Sequence, residues 1–297
     1  MSLPSVPFTR QQAMDLGITQ HEWRTLRRDG LIRHMVGGVF VDAELDDTLD
    51  LRVRAVKLVL PRDAVVTRRT ATWLHGVELL DHRGYPATPR VEVATKHQEQ
   101  RSHAQLIHSH MADDLRHDDI TEIGGVHVTT VLRTAADIAR FLRPVDGLVV
   151  LDAFMHRGKL SKEEVEHAIP RWRRRRGVRQ LERVTELADP LSESGGETHT
   201  RWRVHLMGLP RPTLQIPIVD PLGRTRFRLD LGWRHWRKAL EYDGEEFHPP
   251  ERAEHDRSRR DWISKRGWEI AVVRKDTVFS RGDAFEQIVS ELVAGVR

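Results

Sequence analysis

The spacing of apolar and polar positions changes character several times along the chain, and each change marks an expected element. Near the start, TRQQAMDLG and TQHEWRTLRRDG carry helical spacing, with Thr9 placed to cap the first helix and Gly17 to close it. Thr19 opens the second helix, about residues 20–29, and Gly30 stops it; Trp23 and Leu26 take its apolar side while Arg24, Arg27 and Arg28 face elsewhere. LIRHMVGGVFV then gives two strand-like runs around Gly37 and Gly38, a hairpin signature. Two helices and a hairpin make a winged helix-turn-helix over residues 1–45. In such a module the second helix enters the major groove of duplex DNA and the hairpin touches the flanking backbone, which suits Arg24, Arg27, Arg28, Arg33 and His34. A small scaffold domain with solvated arginines has the same pattern.

Residues 46–190 read as a mixed α/β middle region without catalytic spacing. Thr67 stands where it could cap TRRTATWLHG, VEVAT reads as a strand, TTVLRTAADIARFL as a helix, and Ser161 with Glu164 as a capping box. The histidines at 103, 108, 110, 117 and 127 lack an accompanying ligand motif and read as surface or hydrogen-bonded residues. The region ends in RWRRRRGVRQLER, residues 171–183, whose seven arginines either grip a phosphate backbone or form a solvated connector.

Residues 191–297 give a helix, three strands, a helix, a strand and a helix. Ser194 can cap a helix over 195–207, TLQIPIV, FRLDLGW and KALEYD follow as strands, and a basic helix covers about 251–266. Gly267 ends it, WEIAVV is the fourth strand and DAFEQIVSELVAG closes the chain. The expected fold class is therefore α/β and α+β multidomain.

Composition narrows the chemistry. At 297 residues the chain exceeds one ordinary core, and it holds no apolar run near the roughly 20 residues that span a bilayer, so membrane partners are not expected. The amino terminus lacks a basic-then-apolar signal, which points to the cytoplasm. Zero cysteines exclude disulfides and thiolate zinc sites, leaving carboxylates and histidines as the strong metal ligands. Only seven of the 48 basic residues are lysine, and clustered arginines suit phosphate and guanine recognition.

Within FRLDLGW, alternation puts Phe227, Leu229, Leu231 and Trp233 on one face and Arg228 and Asp230 on the other; Glu241 and Asp243 share a face of the next strand. A tight turn at His235 and Trp236 sets Asp230 across from Glu241, with β-carbons about 5 Å apart, close enough to hold one Mg²⁺ or Mn²⁺. Such an ion could polarise a phosphodiester and activate water. An exposed hairpin decorated with charges is the alternative.

SGGETHTRWRVHLMGLP, RLDLGW and LEYDGEEFH followed by HDRSRRDWISKRGWEIAVVR resemble the Vsr-like family catalogued as domain of unknown function 559. The resemblance covers about residues 192–290 and implies a PD-(D/E)XK, restriction-endonuclease-like αβββαβ core. TRQQAMDLGITQHEWRTLRRDGLIRHMVGGVFV, VVTRRTATWLHG and TTVLRTAADIA are similar to AbiEi-type antitoxins of type IV toxin–antitoxin systems, which implies a winged-helix DNA binder, often a repressor, and a cognate toxin as partner. Carried over by motif, Asp230 and Glu241 match metal-binding acids, and Glu197 matches an acid of the first helix, though it also completes a capping box with Ser194. Asp243 stands where many members of the wider superfamily carry lysine, so charge offset would fall to His248 or to Arg257 and Arg260. Two functions stay open: a metal-dependent deoxyribonuclease acting on double-stranded DNA, with a homodimer as one route to cutting both strands, and a non-enzymatic regulator that keeps the nuclease-like fold.

Overall fold

The computed structural model describes residues 3–81, 83–84, 90–95, 107–111, 113–244 and 250–296. It is mixed α/β, and its contacts form two compact units: Met1–Leu79, Pro86–Leu142 and Glu163–Leu181 in unit 1, and Leu80–Tyr85, Arg143–Lys162 and Glu182–Arg297 in unit 2. Among the described residues no helix is long and apolar enough to cross a membrane.

Unit 1 begins with β1 (Phe8–Thr9), α1 (Arg10–Asp15), α2 (Gln20–Arg28), β2 (Ile32–Val36) and β3 (Val39–Asp42), the strands ordered β1-β3-β2. Thr9 and Thr19 each make a reciprocal capping box, with Gln12 and Glu22, so two otherwise orphaned amides are satisfied at each helix start. Trp23 lies edge-on between Phe8 and Phe40, with ring centroids 6.4 and 4.9 Å away. The hairpin is apolar on both sides: Ile32 and Phe40 pack with Trp23 and Leu26, whereas Met35, Val36, Val39 and Val41 join the next core.

That core belongs to α3 (Leu49–Lys57), β4 (Val65–Val66), α4 (Arg68–Leu74), β5 (Val91–Thr95), β6 (Ile107–Met111), β7 (Ile120–Ile123) and β8 (Val126–Thr129), a five-stranded sheet ordered β6-β5-β4-β8-β7. Thr67 stands at the N-cap position of α4, but its side chain makes no cap bond. After α5 (Val131–Phe141) and α6 (Pro144–His156), which falls in unit 2, come α7 (Lys162–Ala168) and α8 (Val178–Leu187).

The arginine-rich stretch is built into unit 1. Gln180 donates to the carbonyls of Ala139 and Leu142, at 2.7 and 2.8 Å, satisfying the end of α5. Gly177, at φ +82°, passes so close to Arg140 that a β-carbon would sit 2.2 Å from its carbonyl oxygen. Arg171 reaches Asp119 at 2.7 Å, and Trp172 is buried, while Arg173 to Arg176 stay exposed. Behind them Arg133, 2% exposed at its side chain, binds Asp114, Asp119 and Asp137 at 2.7, 3.0 and 2.8 Å, and Arg140 adds bonds to Asp114 and Asp137.

Unit 2 continues with α9 (Gly195–Leu206), β9 (Thr213–Val219), β10 (Thr225–Trp233), β11 (Lys238–Asp243), α10 (Pro250–Ser264), β12 (Glu269–Arg274), α11 (Lys275–Phe279) and α12 (Ala284–Leu292). The sheet runs β12-β11-β10-β9, antiparallel except for the β11–β12 pair. One apolar cluster joins Leu231, Trp233 and Leu240 to Val204, Val273 and Phe285; the other joins Leu229 and Ala239 to Ile216, Ile218 and Ile263. Asp152 of α6 receives Arg201 and Thr198 of α9 in a buried bond set that fixes the two helices together.

Candidate active site

The site is assembled from α9, β9, β10, β11 and α10. Ser194 caps α9 by accepting from the Glu197 amide at 3.1 Å, and its hydroxyl donates to the Glu197 carboxylate at 2.9 Å. The other Glu197 oxygen accepts from the Glu193 amide and from Gln215, both at 3.1 Å. Glu197 therefore caps its helix and also reaches the sheet. Gly196 makes this approach feasible, because a β-carbon there would lie 2.0 Å from the Tyr242 ring.

The β10–β11 register pairs Leu231 with Leu240, Gly232 with Ala239 and Trp233 with Lys238 and ends there; Asp230 and Glu241 are the next residues on the two strands. At that point the ladder changes character: the Asp230 carboxylate accepts the Tyr242 backbone N–H at 2.9 Å. On the other flank, β9 pairs Leu214 with Leu231 and Ile216 with Leu229, and the intervening Gln215 has φ +48°.

This irregularity overturns one expectation. Phe227, Leu229, Leu231 and Trp233 do not share a face. Phe227 and Leu229 pack with Ala239, and Leu231 and Trp233 pack with Leu240. Ala239 and Leu240 are successive strand residues and so point to opposite faces. The left-handed backbone at Gln215 and the side-chain-to-main-chain bond at Asp230 interrupt the two-residue repeat.

Burial pushes the Asp230 carboxyl up to about 7, and the charges of Glu197 and Glu241 add to it, against the relief given by the Tyr242 amide and Arg259. Burial, with the charge of Glu193, also raises Glu197 above the ordinary carboxylate range, against the bonds it accepts. Arg259 of α10 grips both Glu241 oxygens, at 2.6 and 2.8 Å, and donates to the Arg228 carbonyl at 2.8 Å. Oxygen donors of this kind suit Mg²⁺ or Mn²⁺, and the raised Asp230 marks negative charge that a cation would offset. In the structure both Glu241 oxygens are instead engaged by Arg259. Among the described residues no three acidic or histidine side chains gather as a ready metal cage.

Asp243 is 3.9 Å from Arg274 across the parallel β11–β12 pair. His248 lies outside the described residues. Arg257 and Arg260 are exposed on α10, and Arg260 borders an open hollow with Ser264 and Trp268. In unit 1, Arg24, Arg27 and Arg28 are exposed on α2, with Arg28 held by Asp29 at 2.8 Å and Arg27 over the Phe40 ring. Arg33 turns back to the Leu45 carbonyl at 2.9 Å, and His34 accepts the Gly38 amide across its own hairpin. Sequence reasoning missed Arg259 and Gln215. One available signal for Arg259 was its place four residues before the apolar Ile263, one helical turn along the same side of α10.

No family model matches the chain. Over 160 residues, 54% of its length, it is 32% identical to uncharacterized proteins from two strains of Mycobacterium tuberculosis, CDC 1551 / Oshkosh and ATCC 25618 / H37Rv. The chain spans 59% of the length of these curated relatives.

Proposed function

We propose that the protein is a cytoplasmic DNA-binding phosphodiesterase, in which a PD-(D/E)XK-like site in unit 2 hydrolyses duplex DNA selected by a winged helix at residues 1–45. The observation that carries this reading is the convergence of half-buried Asp230 and Glu241, with buried Glu197 beside them, at a break in the sheet ladder. Asp230 and Glu241 would hold a Mg²⁺ or Mn²⁺ ion, which when bound supplies Lewis-acid polarisation of the phosphate and a more acidic water. Glu197 and Gln215 brace one side of the cluster through their mutual hydrogen bond. Arg259 brings positive charge to the acids where lysine is absent at position 243, and it is better placed for that role than Arg257 or Arg260. Exposed Arg24, Arg27 and Arg28 present donors to a DNA backbone or base edges.

The test is nicking of plasmid and of mismatched duplexes by the full chain with Mg²⁺ or Mn²⁺. The expected result is metal-dependent cleavage that Asp230→Asn and Glu241→Gln abolish. Cleavage unchanged in Asp230→Asn, or none by the wild-type chain, refutes the reading.

One observation favours a second reading, a non-enzymatic regulator similar to AbiEi-type antitoxins and working with a cognate toxin. Arg259 occupies both oxygens of Glu241, a closed ion pair that needs no metal. That reading expects binding upstream of the protein's own gene, indifferent to Asp230→Asn and lost when Arg24, Arg27 and Arg28 are replaced.

A further inference from the structure

From Glu241, residues of β10, α10 and the turn after α10 form a chain of contacts between rings and guanidinium groups. Arg259, while gripping Glu241, lies 5.6 Å from the Phe227 ring. Phe227 meets Trp262 edge-on at 5.4 Å, and Arg226 sits 5.8 and 5.2 Å from these two rings. Arg266 stacks on Trp262 at 3.1 Å and donates to the Trp262 carbonyl at 3.0 Å.

Neither Arg226 nor Arg266 has a carboxylate partner among the described residues, and both are held against a ring. Arg201, Arg203, Arg211 and Arg228 in the same unit are each tied to one. The acid whose charge faces Arg226 is Asp220, and its oxygens are engaged by Arg224. Stacking on a ring fixes the plane of a guanidinium and reduces the entropy lost when its in-plane N–H groups meet an acceptor. Two ordered, uncompensated forks beside a cluster of acids suit an anion that runs past the acids and is anchored beyond them. A phosphodiester backbone has that form, with a charge at every nucleotide.

We infer that Arg226 and Arg266, ordered by Phe227 and Trp262, form a phosphate-binding track that seats a DNA strand beside Asp230 and Glu241. The inference rests on the hydrolytic reading of that site and adds the surface on which its substrate lies. Arg226 and Arg266 bind; they do not touch the reacting atoms.

The experiment measures binding of a short duplex by the full chain in EDTA, between about 50 and 200 mM KCl, where affinity falls with a slope near 0.9 per phosphate contact. Both the reference chain and its variants carry Arg24→Ala, Arg27→Ala and Arg28→Ala, so that unit 2 dominates the signal. Arg226→Ala with Arg266→Ala is expected to weaken binding at least about tenfold and to lower the salt slope by about two. Arg226→Lys with Arg266→Lys should restore the slope but only part of the affinity, since charge returns without the stacked fork. Thermal melts check that each variant is folded, and the lysine pair carries the test if the alanine pair is not.

An unchanged slope and affinity in the folded variants overturns the track, as does displacement of the duplex by polyglutamate as readily as by unlabelled DNA. Asp230→Asn separates the two readings. Full binding without cleavage supports both, and cleavage unchanged in Asp230→Asn removes the hydrolytic reading and with it the placement of the track. A reference chain that binds no DNA removes the track as well.

Discussion

Each unit gathers three acids into a cluster, and the two clusters differ in how those acids are paired. In unit 1, Asp114, Asp119 and Asp137 share Arg133, Arg140 and Arg171, so every acid meets a guanidinium. Burial alone would lower the Arg133 pKa, and the charges and hydrogen bonds of Asp137 and Asp114 reverse this and raise it. Burial likewise pushes Asp114 up, and its bonds to Arg133 and Arg140 bring it below the usual range, whereas the more deeply buried Asp137 stays raised by burial against the same two arginines. In unit 2, Arg259 bonds Glu241 of the three acids Glu197, Asp230 and Glu241, and Asp230 is driven up to about 7. A compensated cluster holds a fold together. An uncompensated one is retained at a cost in stability and is therefore the place to look for chemistry.

The largest expected effect breaks the compensated side. Arg133→Met leaves Asp119 and Asp137, each about 2–3% exposed, facing a lost charge, and should destabilise unit 1 by about 3–5 kcal/mol in urea unfolding at neutral pH. A variant as stable as wild type would erase the contrast.

Asp230→Asn should act in the opposite direction. An acid whose folded pKa is raised from 3.8 to about 7 stabilises the fold only while protonated; that contribution is intact below about pH 4 and is lost as pH rises through 7. In EDTA the asparagine variant, which can still accept the Tyr242 amide, should gain about 1–3 kcal/mol above pH 7, after discounting for partial solvent access, and nothing near pH 4. A loss of stability at high pH would show that Asp230 is compensated after all.

The smallest effect sharpens the coupling. Glu197→Gln keeps the helix cap and removes one neighbouring charge, so the Asp230 titration midpoint, followed by carboxyl NMR, should move down from about 7. An unmoved midpoint would confine the effect to burial.

These two clusters were unequally legible in the sequence. The strands of unit 2 could be read nearly to the residue because the alternating run TLQIPIV and the short run KALEYD have turn residues at their ends, and the hairpin length then brings Asp230 level with Glu241, one residue past the last paired residues. Caps at Thr9, Thr19 and Ser194 announced themselves for the same reason: the hydroxyl and its amide are three residues apart. Arg259 was hidden among the neighbouring Arg257 and Arg260, on a helix so polar all round that no face stands out. The change of face at Asp230 depends on left-handed backbone at Gln215, and glutamine carries no turn signal. The Arg133 network unites residues up to 52 positions apart in sequence, a relation no local pattern can encode. Helix α11 is a single turn, too short for periodicity to register.

The buried bond between Arg201 and Asp152 has a practical consequence for anyone wishing to dissect the chain. A fragment starting at residue 191 would include every strand of the four-stranded sheet and every candidate acid, yet it would leave behind α6 and with it the aspartate that receives Arg201 and Thr198. The piece that looks self-sufficient on paper would expose the buried side of α9, the helix that carries Glu197. Excision of a working module has to begin upstream of Arg143.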